Sequence, residues 1–185
     1  MSSLADSEKK LLLQIARRAL VAGVERRAPD DAAQDAGLRW PGGAFVTITR
    51  AGRLRGCIGQ LPSGVAIIDV VAYCARAVAS DDPRFPRVTP GELAEIEIEI
   101  SALSPLSDIN PEAIEPGKHG LFVSNGARRG ILLPQVAVQF RWNGIRLLEA
   151  TCEKAGLPRD AWKNPATRVQ AFTAEVFAEA EFREA

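Results

Sequence analysis

Gly52-Arg53-Leu54-Arg55-Gly56-Cys57-Ile58-Gly59-Gln60-Leu61 follows a short run, Phe45-Val46-Thr47-Ile48-Thr49, in which valine and isoleucine alternate with threonine. A period of two marks a half-buried strand. Ala51-Gly52 supplies a turn, so residues 44–61 are expected to form a β-hairpin. In its return strand, alternation puts Arg53, Arg55 and Cys57 on one face and Leu54 and Ile58 on the other. Glycines on both sides of a cysteine add no packing to a core strand. They let another backbone or a ligand come close, so Gly56 and Gly59 are candidate binding residues. Nearby cations favour thiolate over thiol. Cys57 is therefore a candidate nucleophile, activated by Arg53 or Arg55. Its structural alternative is a small buried apolar residue, a common fate of free cysteine.

Outward from the hairpin, Ser7 to Gly23 has helical spacing in Leu11, Leu12, Ile15, Ala16, Ala19 and Leu20, with Gly23 as the expected C-cap. Glu25 to Pro41 is expected to be an irregular loop. Val65 to Ala79 is a second helix, stopped by Pro83 and Pro86. Thr89-Pro90-Gly91-Glu92 starts a short helical turn. Glu95-Ile96-Glu97-Ile98-Glu99-Ile100 alternates strictly and predicts a strand. A short helix starts at Asn110-Pro111-Glu112. Residues 121–133 form a second hairpin around Asn125-Gly126. Gly144 to Ala155 is a helix closed by Gly156 and Pro158, and Val169 to Phe177 is one final strand. The βαβ rhythm of a parallel sheet is missing. The expectation is an α+β fold with a mixed or antiparallel sheet flanked by helices.

Residues 1–185 are expected to form a single domain. Lysine and arginine balance aspartate and glutamate, 23 against 23, so the whole chain has no strong pull toward nucleic acid or anionic membranes. No apolar run approaches the roughly 20 residues of a membrane span, and the N-terminus lacks the pattern of a secretory signal. Three widely spaced cysteines do not make a disulfide framework. The expected compartment is the reducing cytoplasm.

Six segments in order carry a resemblance: Leu54-Arg55-Gly56-Cys57-Ile58-Gly59, Asp82-Pro83-Arg84-Phe85, Glu97-Ile98-Glu99-Ile100-Ser101, Lys118-His119-Gly120-Leu121, Gly130-Ile131-Leu132-Leu133-Pro134-Gln135-Val136, and Cys152-Glu153-Lys154-Ala155-Gly156-Leu157-Pro158 with Trp162. Together they resemble the AMMECR family, the protein-A component of the AmmeMemoRadiSam system. Gln139-Phe140-Arg141-Trp142-Asn143 departs from the acidic helix start of that pattern. The resemblance implies a larger and a smaller lobe meeting at a cleft, and an activity not yet assigned. It also implies a modification pathway shared with a radical-SAM protein and a Memo-like protein as partners.

His119 is the single histidine and the candidate general base for Cys57, which requires an approach of about 3–4 Å or one bridging water. The alternative is a structural loop histidine. Arg55 and Arg84 are candidate anion holders, because guanidinium presents a bidentate fork to carboxylate or phosphate. For Arg84 the alternative is a salt bridge to Asp81 or Asp82. Gln135 either offers its amide to a ligand or satisfies a loop. Glu95, Glu97 and Glu99 are expected on a solvated strand face, and Cys74 and Cys152 in the core. Neither metal-ligand spacing nor a phosphate or dinucleotide glycine motif is present, so no cofactor is assigned. Two functions follow. One is an enzyme of a modification pathway using the Cys57 thiol with His119. The other is a non-catalytic module that binds a nucleotide, nucleic acid or protein.

Overall fold

The computed structural model describes residues 3–28, 38, 40–62 and 64–183. In chain order the main elements are α1 (Asp6–Val24), β1 (Ala44–Arg50), β2 (Arg53–Gln60), α2 (Ile67–Val78), β3 (Ile96–Leu103), β4 (Ser107–Asp108), β5 (Gly120–Asn125), β6 (Arg128–Leu132), α3 (Pro134–Gln139), α4 (Gly144–Lys154), β7 (Arg168–Phe172) and β8 (Ala174–Ala178). The chain divides into two compact units, residues 1–103 with 175–185, and residues 104–174. The fold is α+β, with two four-stranded sheets in place of the single sheet expected.

In the first unit the strand order is β2-β1-β3-β8, with β1 antiparallel to both β2 and β3. Alternation sorts the side chains. Ala44, Val46 and Ile48 of β1 and Ile96, Ile98 and Ile100 of β3 are buried, while Phe45, Thr47, Thr49, Glu97 and Glu99 are half-buried on the opposite face. The isoleucine face packs with Leu12, Ile15, Ala16 and Leu20 of α1 and Ile67, Val71, Cys74 and Val78 of α2. Burying each large aliphatic side chain contributes about 1.5–3 kcal/mol. One face of the sheet therefore holds the core, and the other is half-buried.

The second unit has the order β4-β7-β5-β6, all antiparallel. Leu121, Val123 and Ala171 pack with Leu147, Leu148 and Cys152 of α4. Asn143 caps α4, its Oδ1 accepting from the Arg146 N–H at 2.8 Å, so the segment that departs from the acidic pattern still starts the helix. The short helix α3 was not foreseen, and the start at Asn110 yields one 3-10 turn, Pro111–Ala113.

Two further expectations are corrected. The last strand is two strands, one in each sheet, broken at Thr173, whose N–H donates to Ser104 Oγ at 2.9 Å and whose carbonyl accepts from the Ser104 N–H at 2.8 Å. The break shifts the alternation by one residue. Phe177 is fully buried and Val176 is exposed, the reverse of one continuous strand through Phe172. Gly23 lies inside α1 and not at its cap. A Cβ there would stand 2.8 Å from the Arg76 carbonyl oxygen, so this glycine lets α2 come close. Arg26, at φ 56°, takes the left-handed position after the helix. Much of the loop expected over 25–41 lies outside the described residues.

Gly56 is buried against α2, where an added Cβ would meet Val78 Cγ2 at 2.7 Å and Ile48 Cγ1 at 3.3 Å. Gly56→Ala overpacks this contact and is expected to lower unfolding free energy by about 1–3 kcal/mol. Urea unfolding checks this, and an unchanged midpoint contradicts it.

Candidate functional site

The hairpin turn is made by Ala51 at φ 49° and Gly52 at φ 72°. Two successive positive φ values match the twist of the flanking strands. Beyond it the register jumps from Thr49↔Leu54 to Ile48↔Gly56, leaving Arg55 as the extra residue of a bulge. Its guanidinium is engaged through all three nitrogens. Nε donates to Glu92 at 2.8 Å, Nη1 to the Pro86 carbonyl at 2.9 Å, and Nη2 to the Arg87 carbonyl at 3.2 Å. Arg55 thus ties the 86–92 segment to the hairpin. The same guanidinium holds the Glu92 carboxyl down to about 2.

Cys57 lies opposite Thr47, whose Oγ1 donates a hydrogen bond to Sγ at 3.3 Å. The Cys57 N–H donates to Asp82 Oδ2 at 2.9 Å, and its carbonyl accepts from Arg84 Nη2 at 3.2 Å. Both backbone groups therefore point away from β1. The Cys57–Thr47 pair is then the non-hydrogen-bonded kind, in which side chains stand closest. Asp82 is only 4% exposed. Its Oδ1 accepts from Arg84 N at 3.1 Å and Nε at 2.9 Å, and its Oδ2 from Nη2 at 2.7 Å. Arg84 drives the Asp82 carboxyl down to about 2. Asp82 first, and the Cys57 side chain after it, hold the Arg84 guanidinium charged.

Cys57 is half-exposed, whereas Cys74 and Cys152 are buried. Burial pushes the Cys74 thiol up to about 12 and raises Cys152 as well. The space that the motif glycines leave is filled by the protein itself, at Gly56 by Val78 and at Gly59 by the Phe45 ring, 2.2 Å from an ideal Cβ. Across β1 from Cys57, Glu99 of β3 opposes Thr47. Glu95, just before β3, pairs with Arg50 at 2.9 Å, and Glu97 on β3 pairs with Arg183 at 3.0 Å.

His119 and Gln135 belong to the second unit. His119 is half-buried, and its Nδ1 accepts from the Glu115 N–H at 3.1 Å. That bond needs the Nδ1 lone pair, so the neutral ring carries its proton on Nε2 and presents a donor there. Gln135 is half-buried in the first turn of α3. Among the described residues no group of three acidic, histidine or cysteine side chains is placed to hold a metal ion, and no helix is long and apolar enough to cross a membrane. Sequence reasoning missed Thr47 and the reach of Asp82 to the Cys57 amide. The signal for Thr47 was its place in the alternation. For Asp82 there was only the Asp-Pro-Arg triplet.

A carboxyl depressed in the folded state stabilises it above the unfolded pKa and loses that contribution as pH falls through the folded value. For Asp82 the interval runs from 3.8 to about 2. Asp82→Asn is expected to cost about 2 kcal/mol at pH 7. The difference from wild type should shrink as pH falls from 3.8 toward about 2, where Asp82 is itself half protonated. Urea unfolding at both pH values checks this, and a gap unchanged at pH 2 contradicts it.

A family profile described as AMMECR1 matches residues 13–177. A protein from Methanothermobacter thermautotrophicus is 40% identical, over 95% of this chain and 96% of its own length. Protein TK0174 of Thermococcus kodakarensis is 37% identical, over 97% of this chain and 94% of its own. In three dimensions the chain is similar to the crystal structure of the uncharacterized protein PH0010 from Pyrococcus horikoshii. The TM-score is 0.87 at 36% identity, covering 95% of this chain and 93% of the other. The chain belongs to the AMMECR1 family.

Proposed function

We propose that this protein is an enzyme that works through covalent chemistry at the Cys57 thiol, as one step of a modification pathway. The observation that carries this reading is the treatment of one cysteine. Cys57 is half-exposed, its sulfur accepts a hydrogen bond from Thr47, and its backbone is pinned by Asp82 and Arg84. Hydrogen bonding to sulfur favours the charged, nucleophilic form. Pinning fixes the direction of attack, which is how positioning lowers a barrier. Sγ forms a bond to an electrophilic centre of the substrate, and the leaving group departs with its electron pair.

Arg84, beside the Cys57 side chain, supplies the anion-holding element, suited to a carboxylate or phosphate on a small molecule or nucleotide. His119 and Gln135 belong to the second unit and take no part in this reading. Arg55, Gly56 and Gly59 support the site by fixing the hairpin on which Cys57 stands. The radical-SAM and Memo-like proteins implied by the family remain the partners of this reading. The thiol state of Cys57, Cys74 and Cys152 suits a cytoplasmic location.

Native-state labelling with iodoacetamide, followed by mass spectrometry of each cysteine, tests the reading. Cys57 is expected to be modified at least about tenfold faster than Cys74 or Cys152. Labelling of Cys57 no faster than the two buried thiols would sink the enzyme reading and leave a binding module.

A further inference from the structure

The row of side chains that begins at the thiol continues across the sheet. Cys57 of β2 is in register with Thr47 of β1, and Thr47 with Glu99 of β3. Directly opposed residues share one face of the sheet. Because the Cys57 backbone groups turn outward to Asp82 and Arg84, those of Thr47 turn toward β3. The Cα spacings are then about 4.5 Å for Cys57–Thr47 and about 5.5 Å for Thr47–Glu99. A thiol, a hydroxyl and a carboxyl stand in line.

Glu99 differs from its neighbours. Glu92 is held by Arg55, Glu95 by Arg50 and Glu97 by Arg183. Among the described residues, no hydrogen bond or ion pair engages the Glu99 carboxyl. Burial, and then the negative charge of Glu181, push its pKa up. The groups around it are Glu181 from the turn after β8, Glu97 with its partner Arg183 on β3, the neutral Thr47 and Thr49 on β1, and Cys57 on β2 with the Asp82–Arg84 pair at the edge. A half-buried carboxylate without a cation beside it is a stronger base than an ordinary one.

We propose that Glu99 is the proton acceptor for the Cys57 thiol, acting through the hydroxyl of Thr47. This rests on the thiol reading above. The S–H bond breaks with its electron pair left on sulfur. That proton passes to Thr47 Oγ1 while the proton of Thr47 passes to the Glu99 carboxylate, directly or through one water. The site charge moves from Glu99 to Cys57, and no oxidant or reductant takes part. The hydrogen bond from Thr47 Oγ1 to Sγ already points in the direction that this transfer leaves behind.

Two coupled groups that share one proton titrate as a pair. Between the two macroscopic pKa values, the share of thiolate stays constant with pH. The rate of Cys57 carbamidomethylation by iodoacetamide, followed from pH 5 to pH 9, reads that share. Wild type is expected to show a plateau on the acid side of neutrality. In Glu99→Gln the plateau is lost and the rate falls about tenfold per pH unit. Thr47→Val keeps the carboxyl but removes the hydroxyl that stabilises the thiolate, so its plateau should stand about tenfold lower, which keeps the test alive if Glu99→Gln does not fold. Parallel profiles for wild type and Glu99→Gln, or a plateau of undiminished height in Thr47→Val, overturn the proposal. If Cys57 reacts selectively while the profiles stay parallel, only the role of Glu99 falls. If Cys57 does not react selectively at all, the thiol reading falls with it.

Discussion

The edge of β2 is closed at Cys57 by a carboxylate and a guanidinium in place of a neighbouring strand. A strand edge leaves N–H and C=O groups unpaired, which invites association with other chains. Here Asp82 accepts the Cys57 N–H and Arg84 donates to the Cys57 carbonyl, while the two side chains pair with each other. The same device recurs on the other side of the sheet, along β3. Arg17 donates to the Ile96 carbonyl, Glu179 accepts the Ile98 N–H, and Arg17 and Glu179 pair. An exposed ion pair alone is worth little. Asp82 is buried, so removing its partner leaves a charge without compensation.

This closure decides what the rest of the first unit can do. It fixes residues 82–87 against β2, where Arg55 and Glu92 hold the segment again from its far end. It orients the Cys57 backbone, and so sets which cross-strand pair brings its side chains closest. The helices α1 and α2 cover the isoleucine face, so the half-buried face is the one on which thiol, hydroxyl and carboxyl line up. A period of two, interrupted by the bulge at Arg55, divides the buried face from the half-buried one.

That period is also why much of the fold could be read from the chain. The β1–β2 hairpin and the Ile-Glu strand show alternation within a few residues, a local signal independent of tertiary contacts. What lay beyond reach depended on distant partners. The bulge at Arg55 answers to the 86–92 segment. The break at Thr173 separates Phe172, buried in the second unit, from Phe177, in the core of the first. Gly23 looked like a cap because its neighbour Arg76 stands 53 residues further on. Glycine beside Cys57 suggested an approaching ligand, whereas Val78 and the Phe45 ring occupy the space. Cys57 and Arg84 were legible as candidate chemistry from residue type. Thr47 became visible only through register, and Asp82 through its bond to an amide 25 residues away.

Amide hydrogen exchange at Cys57 tests the edge closure most directly. This amide, although it faces away from β1, should exchange slowly in the native protein. In Asp82→Ala it should exchange at least about tenfold faster, a change beyond any shared by the Thr47 amide inside the sheet. A Cys57 amide that exchanges in wild type at the rate of an unstructured peptide would contradict the account.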